Sequence, residues 1–296
     1  MLKNEEAFGF ALAIGGAICF GTLAIFGKLG YRAGARPLPL LATRFVIATL
    51  VLLAIQLVMG RGLAIGRRAL VKLLLLGGLG YGLEASLYFL ALDRAPAGVV
   101  TVIFYSYPMW TTIFGLVLGL EKWHTRVAIA LFLSSVGVVY MFGVREVDVD
   151  GPLLALGAAV AVAVYFILSD IVLRNAEPYE VATWTTAGAA LTTTGAAAIA
   201  GERLPSDALP YAAALGLVSA VSFLLLYAAI IRIGSTRAAI ANMMEVVTTV
   251  VLAAIVLGEA ITTRKALGAL LVISALPVLA TALPRRSEER PPADSP

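Results

Sequence analysis

The sequence predicts an all-α polytopic membrane protein with ten transmembrane helices, arranged as two inverted five-helix repeats. Three observations support this. Hydrophobic residues make up 60% of the 296 residues and charged residues only 14%, against about 25% charged in soluble globular domains. The apolar residues fall into continuous runs, each near the ~20 residues that a spanning helix needs. Short patterns of the first half return in the second half.

The composition also excludes several classes of protein. A soluble enzyme or secreted domain of this length needs more polar surface, and a disordered chain has low hydrophobicity and high charge. The one cysteine, Cys19, allows no internal disulfide, and the one histidine, His124, allows no histidine-rich metal centre. The net charge of +4 is spread over short clusters between apolar runs, so no nucleic-acid partner is expected.

Each apolar run is expected to form one helix, because a membrane barrel would instead show alternating segments of about 10 residues. The first run is too long for a cleaved signal peptide. Prolines stand at or just before the start of several runs, where the missing N–H of proline costs no helical hydrogen bond. The expected helices cover residues 8–29, 38–59, 69–92, 97–118, 125–143, 151–173, 179–200, 209–231, 236–257 and 264–283.

The chain is expected to divide into residues 1–145 and 146–284, one repeat each, and a polar, disordered cytoplasmic tail at 285–296. Because five is odd, the two repeats would cross the membrane in opposite directions. Inverted repeats are typical of secondary transporters, which bind substrate near mid-membrane between the repeats. The similar stretches are residues 9–17 and 151–159, 87–94 and 226–232, and 116–121 and 255–259.

The distribution of Lys and Arg predicts the orientation. Thirteen lie on the side of the termini and eight on the other side, which favours both termini in the cytoplasm. The thirteen are Lys3, Arg61, Arg67, Arg68, Lys72, Lys122, Arg126, Arg174, Arg232, Arg237, Arg285, Arg286 and Arg290. The eight are Lys28, Arg32, Arg36, Arg94, Arg145, Arg203, Arg264 and Lys265.

Several motifs in order resemble the drug/metabolite transporter superfamily, EamA type, and the resemblance covers nearly the whole chain. The motifs are Phe20-Gly21 followed by Lys28, Ala42-Thr43-Arg44-Phe45, Tyr88-x-x-Ala91-Leu92 before Ala95-Pro96-Ala97, and Met244-Glu245-Val246 with Leu257-Gly258-Glu259. Within that superfamily the chain is most similar in character to the YddG-type bacterial amino-acid exporters. The resemblance implies a ten-helix transporter and places Glu245 near the cavity.

The sequence departs from the family pattern at several positions. Phe20 replaces the usual tryptophan, and Tyr107-Pro108 keeps a proline but lacks the acid. Glu245-Val246 keeps the acid but lacks the proline, and Trp184 is the second-repeat counterpart of Arg44. The two repeats are therefore not expected to contribute equally to function.

Ionisable residues inside the expected spans are the main functional candidates, since each costs at least ~2.5–3.5 kcal/mol on insertion scales. Glu84 follows the glycine-rich stretch 77–82, whose small residues allow close helix approach or a cavity wall. Glu84 is expected to bind a substrate amine or to carry a coupling proton. A neutral carboxyl group hydrogen-bonded between helices is the alternative. For Glu245, near the middle of the ninth span, the alternatives are a position near the cavity and an interhelical hydrogen bond.

Three further charged residues are candidates for a gate or a charge pair. Lys28 and Asp170 occupy matching repeat positions near the ends of the first and sixth spans. They are expected either to pair on one face or to extend to the membrane surface. Arg44 lies about one turn into the second span, where it could neutralise a carboxylate, close a gate or pack against helix-terminal carbonyls.

Aromatic residues in mid-span complete the candidate set. Tyr81, Glu84 and Tyr88 are spaced i, i+3 and i+7 and share one helix face. Such a face suits a ligand with an apolar body and an amine; packing or contact with lipid is the alternative. Pro108 is expected to loosen the fourth span, as a hinge or by exposing a carbonyl. The other candidates are Tyr107, Trp184 and Tyr227.

The sequence predicts a secondary transporter of the bacterial inner membrane that exports small metabolites by alternating access. Amino acids, aromatic ones first, are the expected substrates. Organic cations are the alternative, and sugar phosphates or nucleotide sugars fit less well because Glu84 and Glu245 are acidic. An intramembrane enzyme or a structural subunit is the alternative from another class. No catalytic residue, metal or cofactor is expected, and without a Walker motif neither is ATP. The oligomeric state is left open.

Overall fold

The computed structural model describes residues 2–62, 65–95, 97–142, 149–173, 176–258 and 260–280, and within these ranges the regular secondary structure is helical. The α-helices are α1 (Leu2–Arg32), α2 (Pro37–Val58), α3 (Arg67–Leu75), α4 (Leu83–Arg94), α5 (Ala97–Phe104), α6 (Tyr107–Val117), α7 (Thr125–Phe142), α8 (Asp150–Val172), α9 (Pro178–Ile199), α10 (Leu209–Ile233), α11 (Ser235–Asn242), α12 (Met244–Leu257) and α13 (Thr263–Ala280). A π-helical segment, Leu76–Gly82, joins α3 to α4, and a 3₁₀ turn, Ser206–Ala208, precedes α10.

Helix occurs within every apolar run of the sequence, but three of the runs contain more than one helix. The third run contains α3, the π-helical segment and α4, the fourth contains α5 and α6, and the ninth contains α11 and α12. In the described ranges, seven stretches are long and apolar enough to cross a membrane. The protein is therefore a polytopic helical membrane protein, and the count of ten spans stays a prediction. The seven stretches are Glu5–Arg32, Pro37–Val58, Arg67–Tyr88, Val99–Val117, Asp150–Val172, Ser206–Ile233 and Ser235–Leu257.

Helices of the two halves pack mainly against one another. The helix α1 packs against α10 and α12, and its counterpart α8 packs against α4 and α6. In the same way α2 packs against α9, and α7 against α13. If each helix in these pairs is replaced by its counterpart in the other half, the resulting pair is also in contact. The repeat boundary at 145–146, the expected tail at 285–296, and Pro96 and Glu259 lie outside the described residues.

The direction of α1 is opposite to that of α10. Glu5, near the start of α1, pairs with Arg232 near the end of α10, with 3.3 Å between Oε2 and Nε. Gly30, near the end of α1, lies beside Tyr211 at the start of α10. The loops at the two ends of α10 therefore lie at opposite ends of the molecule.

Two glycines bring the backbone of the third run against that of α9. A Cβ atom on Gly77 would overlap the carbonyl oxygen of Thr185, and a Cβ atom on Gly188 would overlap the carbonyl oxygen of Leu74. Only glycine allows backbones to approach this closely. Gly77 belongs to the π-helical segment, and short π-helical stretches inside α-helices occur frequently at functional sites.

Candidate functional site

The centre of the molecule holds two interruptions of helix, one in each half. The helix α5 ends at Phe104 and α6 begins at Tyr107, while α11 ends at Asn242 and α12 begins at Met244. Pro108 lies in the first turn of α6 and has no N–H to donate to the carbonyl of Phe104. Broken helices at corresponding places in two repeats are a strong pointer to a transporter's binding site.

Hydrogen bonds join these two interruptions directly. The hydroxyl of Tyr107 donates to the carbonyl of Ala239 at 3.1 Å. The Asn242 amide donates to the Tyr107 hydroxyl at 3.3 Å and to Oε2 of Glu245 at 3.1 Å. Tyr105 is also buried beside Glu245 and interacts with it electrostatically. The broken part of one half is thus held against the broken part of the other.

Glu84 lies at the start of α4, directly after the π-helical segment. Its side chain is buried, with 6% of the residue exposed. Within the described ranges no hydrogen bond reaches its carboxyl group, and the charged groups that act on it are Arg44 and Glu245. An ionisable group inside a membrane-spanning stretch is costly and is a functional candidate by default, so this carboxyl group is the strongest candidate to meet a ligand.

Arg44 is the buried cation of the site and is held on two sides. Its Nε donates to the hydroxyl of Ser219 at 2.7 Å, and its Nη2 donates to the hydroxyl of Tyr81 at 3.3 Å. The guanidinium also lies over the ring of Phe45, 4.8 Å from the ring centre. Its hydrogen-bond partners are side chains of α10 and the π-helical segment. Of the alternatives given for Arg44, packing against helix-terminal carbonyls is not found among the described contacts.

Aromatic rings surround these charges. Tyr81 contacts Phe45, Tyr165 and Phe223, with ring centres 5.0 to 5.5 Å apart. Tyr107 stacks on Phe166 at 5.6 Å. The hydroxyls of two further buried tyrosines are satisfied, because Tyr165 hydrogen-bonds to Tyr227, whose hydroxyl lies 2.9 Å from Oγ1 of Thr185.

The structure brings most of the predicted site residues together. Arg44, Tyr81, Glu84, Tyr107 and Glu245 interact with one another at the centre. Pro108 directly follows Tyr107 in the chain. Tyr88 lies at the edge, where its ring contacts Phe104 at 4.8 Å, and Tyr227 joins through Tyr165. Trp184 is half-buried on α9, and no described ring contact or hydrogen bond connects it with the cluster.

The structure separates Lys28 from Asp170 and does not support the alternative in which the two side chains pair. Lys28 is exposed near the end of α1, beside the start of α10. Asp170 is buried and accepts a hydrogen bond from Ser235, just beyond the end of α10, at 3.4 Å. With a rise of about 1.5 Å per residue, α10 keeps the two side chains roughly 30 Å apart. An inverted arrangement of the two halves, which stays a prediction, would put matching positions on opposite faces and account for this separation.

Three polar residues of the site were not predicted from the sequence: Thr185, Ser219 and Asn242. Threonine and serine in a helix are weak signals, because their hydroxyls also bond to the carbonyl four residues earlier, as Ser219 does with Leu215 at 2.6 Å. Asn242 gave a better signal, since an amide within an apolar run needs a partner in the membrane.

Comparisons with known proteins agree with this architecture. The model of the EamA-like transporter family matches residues 7–143 and 150–281, one match in each half of the chain. The uncharacterized transporter YcbK of Bacillus subtilis (strain 168) is 25% identical over 274 residues, which are 86% of this chain and 87% of YcbK. A protein of known crystal structure has the same fold, with a TM-score of 0.77 and 22% identity over 93% of this chain and 99% of that one.

Proposed function

The chain belongs to the EamA-like transporter family, and we propose that this membrane transporter of small molecules exports amino acids, aromatic ones first. The proposal places it in the bacterial inner membrane with both termini in the cytoplasm, as the Lys and Arg distribution favours. Transport proceeds by alternating access, in which one set of helices moves against the other around a central site. The matched helix contacts of the two halves support this mechanism.

The observation that carries the substrate class is the meeting of both signs of charge at one buried site. Glu84 and Glu245 offer carboxyl groups to an ammonium, and Arg44 offers a guanidinium to a carboxylate. A free amino acid carries both groups. The rings of Tyr81 and Tyr107 add a surface for an aromatic side chain.

The same charges disfavour the competing substrates. An organic cation would meet the carboxyl groups, but Arg44 would repel it and would gain no partner. A sugar phosphate or nucleotide sugar would meet two acidic groups for one cation. Both remain in the test as comparison substrates.

The test is counterflow of labelled substrate in proteoliposomes that contain the purified protein. Phenylalanine, threonine, an organic cation and a sugar phosphate are compared, with and without a pH gradient. We expect phenylalanine to exchange fastest. Glu84→Gln should lower its rate at least about tenfold, because a hydrogen bond to a charged group is worth about 1.5–3 kcal/mol. If the pH gradient accelerates transport by the wild type but not by Glu84→Gln, Glu84 is also the group that couples transport to protons.

Asp207→Asn is the matched control, because Asp207 is an exposed carboxylate in the turn before α10. This variant should transport at the wild-type rate. Flux of the organic cation or the sugar phosphate without flux of any amino acid would refute the substrate class. A protein that moves none of the four compounds would contradict the proposal that it exports amino acids.

A further inference from the structure

A cavity of about 220 Å³ lies apart from the central charges, where α6 and α7 meet at the loop between them. Its wall is mainly apolar and includes Leu116 of α6 and Leu131 and Phe132 of α7. Polar groups cluster at the loop end of the cavity, where Lys122, His124 and Thr236 take part in the lining. The shape is that of an apolar slot with a polar rim.

Two polar atoms at this rim lack partners. Oγ1 of Thr236 and Nε2 of His124 are buried, and neither has a hydrogen-bond partner in the described part of the chain. Thr236 is only 2% exposed. Buried polar atoms without partners are few in native proteins, and each one calls for an explanation such as a bound group.

The position of Thr236 explains why its hydroxyl is unsatisfied. Buried threonines within helices, such as Thr112 and Thr186, donate to the carbonyl four residues earlier, at 2.7 and 2.8 Å. Thr236 stands in the first turn of α11, and Gly234, with a φ of 80°, turns the chain away from α10 just before it. The helical acceptor is therefore absent, and the hydroxyl is available to a ligand.

One side of the cavity wall faces the bilayer. Met109, Trp123 and Phe132 line it and are 40%, 66% and 67% exposed. Large apolar side chains exposed on a membrane protein contact lipid, and tryptophan is enriched at the level of the headgroups. We therefore expect the loop from Gly119 to His124 at the membrane boundary, with the apolar part of the slot on the hydrocarbon side.

We propose that this cavity binds one phospholipid. An acyl chain fills the slot between Leu116 and Leu131, and the ester carbonyl of that chain accepts a hydrogen bond from the Thr236 hydroxyl. The headgroup phosphate lies at Lys122 and His124. Glu121 shares the lining, but Lys122 and nearby Arg126 outweigh it in charge, so an anionic headgroup is preferred over a zwitterionic one.

The bound lipid would contact both broken spans, through Thr112 on α6 and Thr236 on α11. An effect of the lipid on transport rests on the proposed function. Binding itself does not, because it requires only that the chain spans a membrane. The test below therefore measures binding, and its failure would leave the proposed function untouched.

The test is native mass spectrometry of the full chain in mild detergent, titrated with phosphatidylglycerol or phosphatidylcholine. We expect one tightly retained phosphatidylglycerol per chain and weaker retention of phosphatidylcholine. Ala128→Phe fills the slot from α7 and should abolish the tight site. The control is Ala266→Phe, at the matching position of α13 (Thr-Arg-x-Ala in both helices), where the alanine is exposed and lines no described cavity. It should keep the lipid.

Thr236→Val removes the hydroxyl and keeps the size of the side chain, so its fold is expected to survive even if Ala128→Phe unfolds. Its affinity for phosphatidylglycerol should be roughly two- to tenfold weaker than that of the wild type. Equal retention by the wild type and Ala128→Phe, or equal affinity of the wild type and Thr236→Val, would overturn the proposal. Loss of lipid from Ala266→Phe as well would do the same, and equal retention of the two lipids would overturn the headgroup preference.

Discussion

Arg44 shows how a single charge is tolerated at the centre of a membrane protein. Its guanidinium gives one hydrogen bond to Ser219 on α10 and another to Tyr81 on the π-helical segment, and it acts electrostatically on Glu84 and Glu245. Arginine presents five N–H donors in a planar fork. It can therefore hold its two neighbours and still offer donors to a carboxylate.

Replacing Arg44 by lysine tests this geometry while keeping the charge. A lysine side chain could not reproduce both bonds, because its one ammonium nitrogen cannot lie at the positions of Nε and Nη2 together. We expect Arg44→Lys to lower the exchange rate in proteoliposomes by roughly ten- to hundredfold, from the loss of about 1.5–3 kcal/mol. Arg68→Lys, at an exposed arginine of α3, should have no effect. A wild-type rate in Arg44→Lys would mean that only the charge matters.

At the scale of the elements, the contact between α9 and the third run depends on residues without side chains. Gly77 and Gly188 lie so close to the backbone of the opposite element that a Cβ atom at either position would overlap it. This contact places the π-helical segment, and with it Tyr81 and Glu84, next to α9. The geometry of the site therefore depends on the packing of these two elements.

Gly188→Ala should separate the two elements and destabilise the protein by about 1–3 kcal/mol, as overpacking does. Gly195→Ala is the control on the same helix, because Gly195 is exposed and nothing lies within 4 Å of its Cβ position. Alanine there should stabilise α9 by about 0.5–1 kcal/mol. The thermal midpoint of the purified protein measures both changes. A midpoint for Gly188→Ala at or above the wild-type value would contradict the close packing.

At the scale of the whole molecule, equivalent helices of the two halves make equivalent contacts. The packing of α1 against α10 corresponds to that of α8 against α4. This correspondence supports the proposal that the halves are related by inversion, with the site between them. It also explains why Lys28 and Asp170, which match in sequence, stand at opposite ends of the molecule.

The inversion predicts the sides on which two matching loops lie. Arg32 at the end of α1 and Glu177 just before α9 are both exposed. In a Cys19→Ala background, which is free of cysteine, Arg32→Cys should react with an impermeant maleimide from the periplasmic side. Glu177→Cys should react only after the membrane is permeabilised. Labelling of both from the same side would exclude an inverted arrangement.

The amino-acid sequence by itself determined the class of the protein, the approximate helices and the family. Hydropathy and helix formation are local properties, because a helix in lipid satisfies its own backbone hydrogen bonds. The same local reasoning identified Glu84 and Glu245 as candidates, since a charge within an apolar run is recognisable without any neighbour.

Only the tertiary structure decided which candidates act together. Arg44 and Ser219 are 175 residues apart in the chain, and no sequence pattern predicts their hydrogen bond. The structure also showed the interruption of the ninth run at Met243 and placed Lys28 and Asp170 near opposite ends of α10. These features depend on which helix faces pack together, and that choice is made by contacts between distant segments rather than by the residues of any one helix.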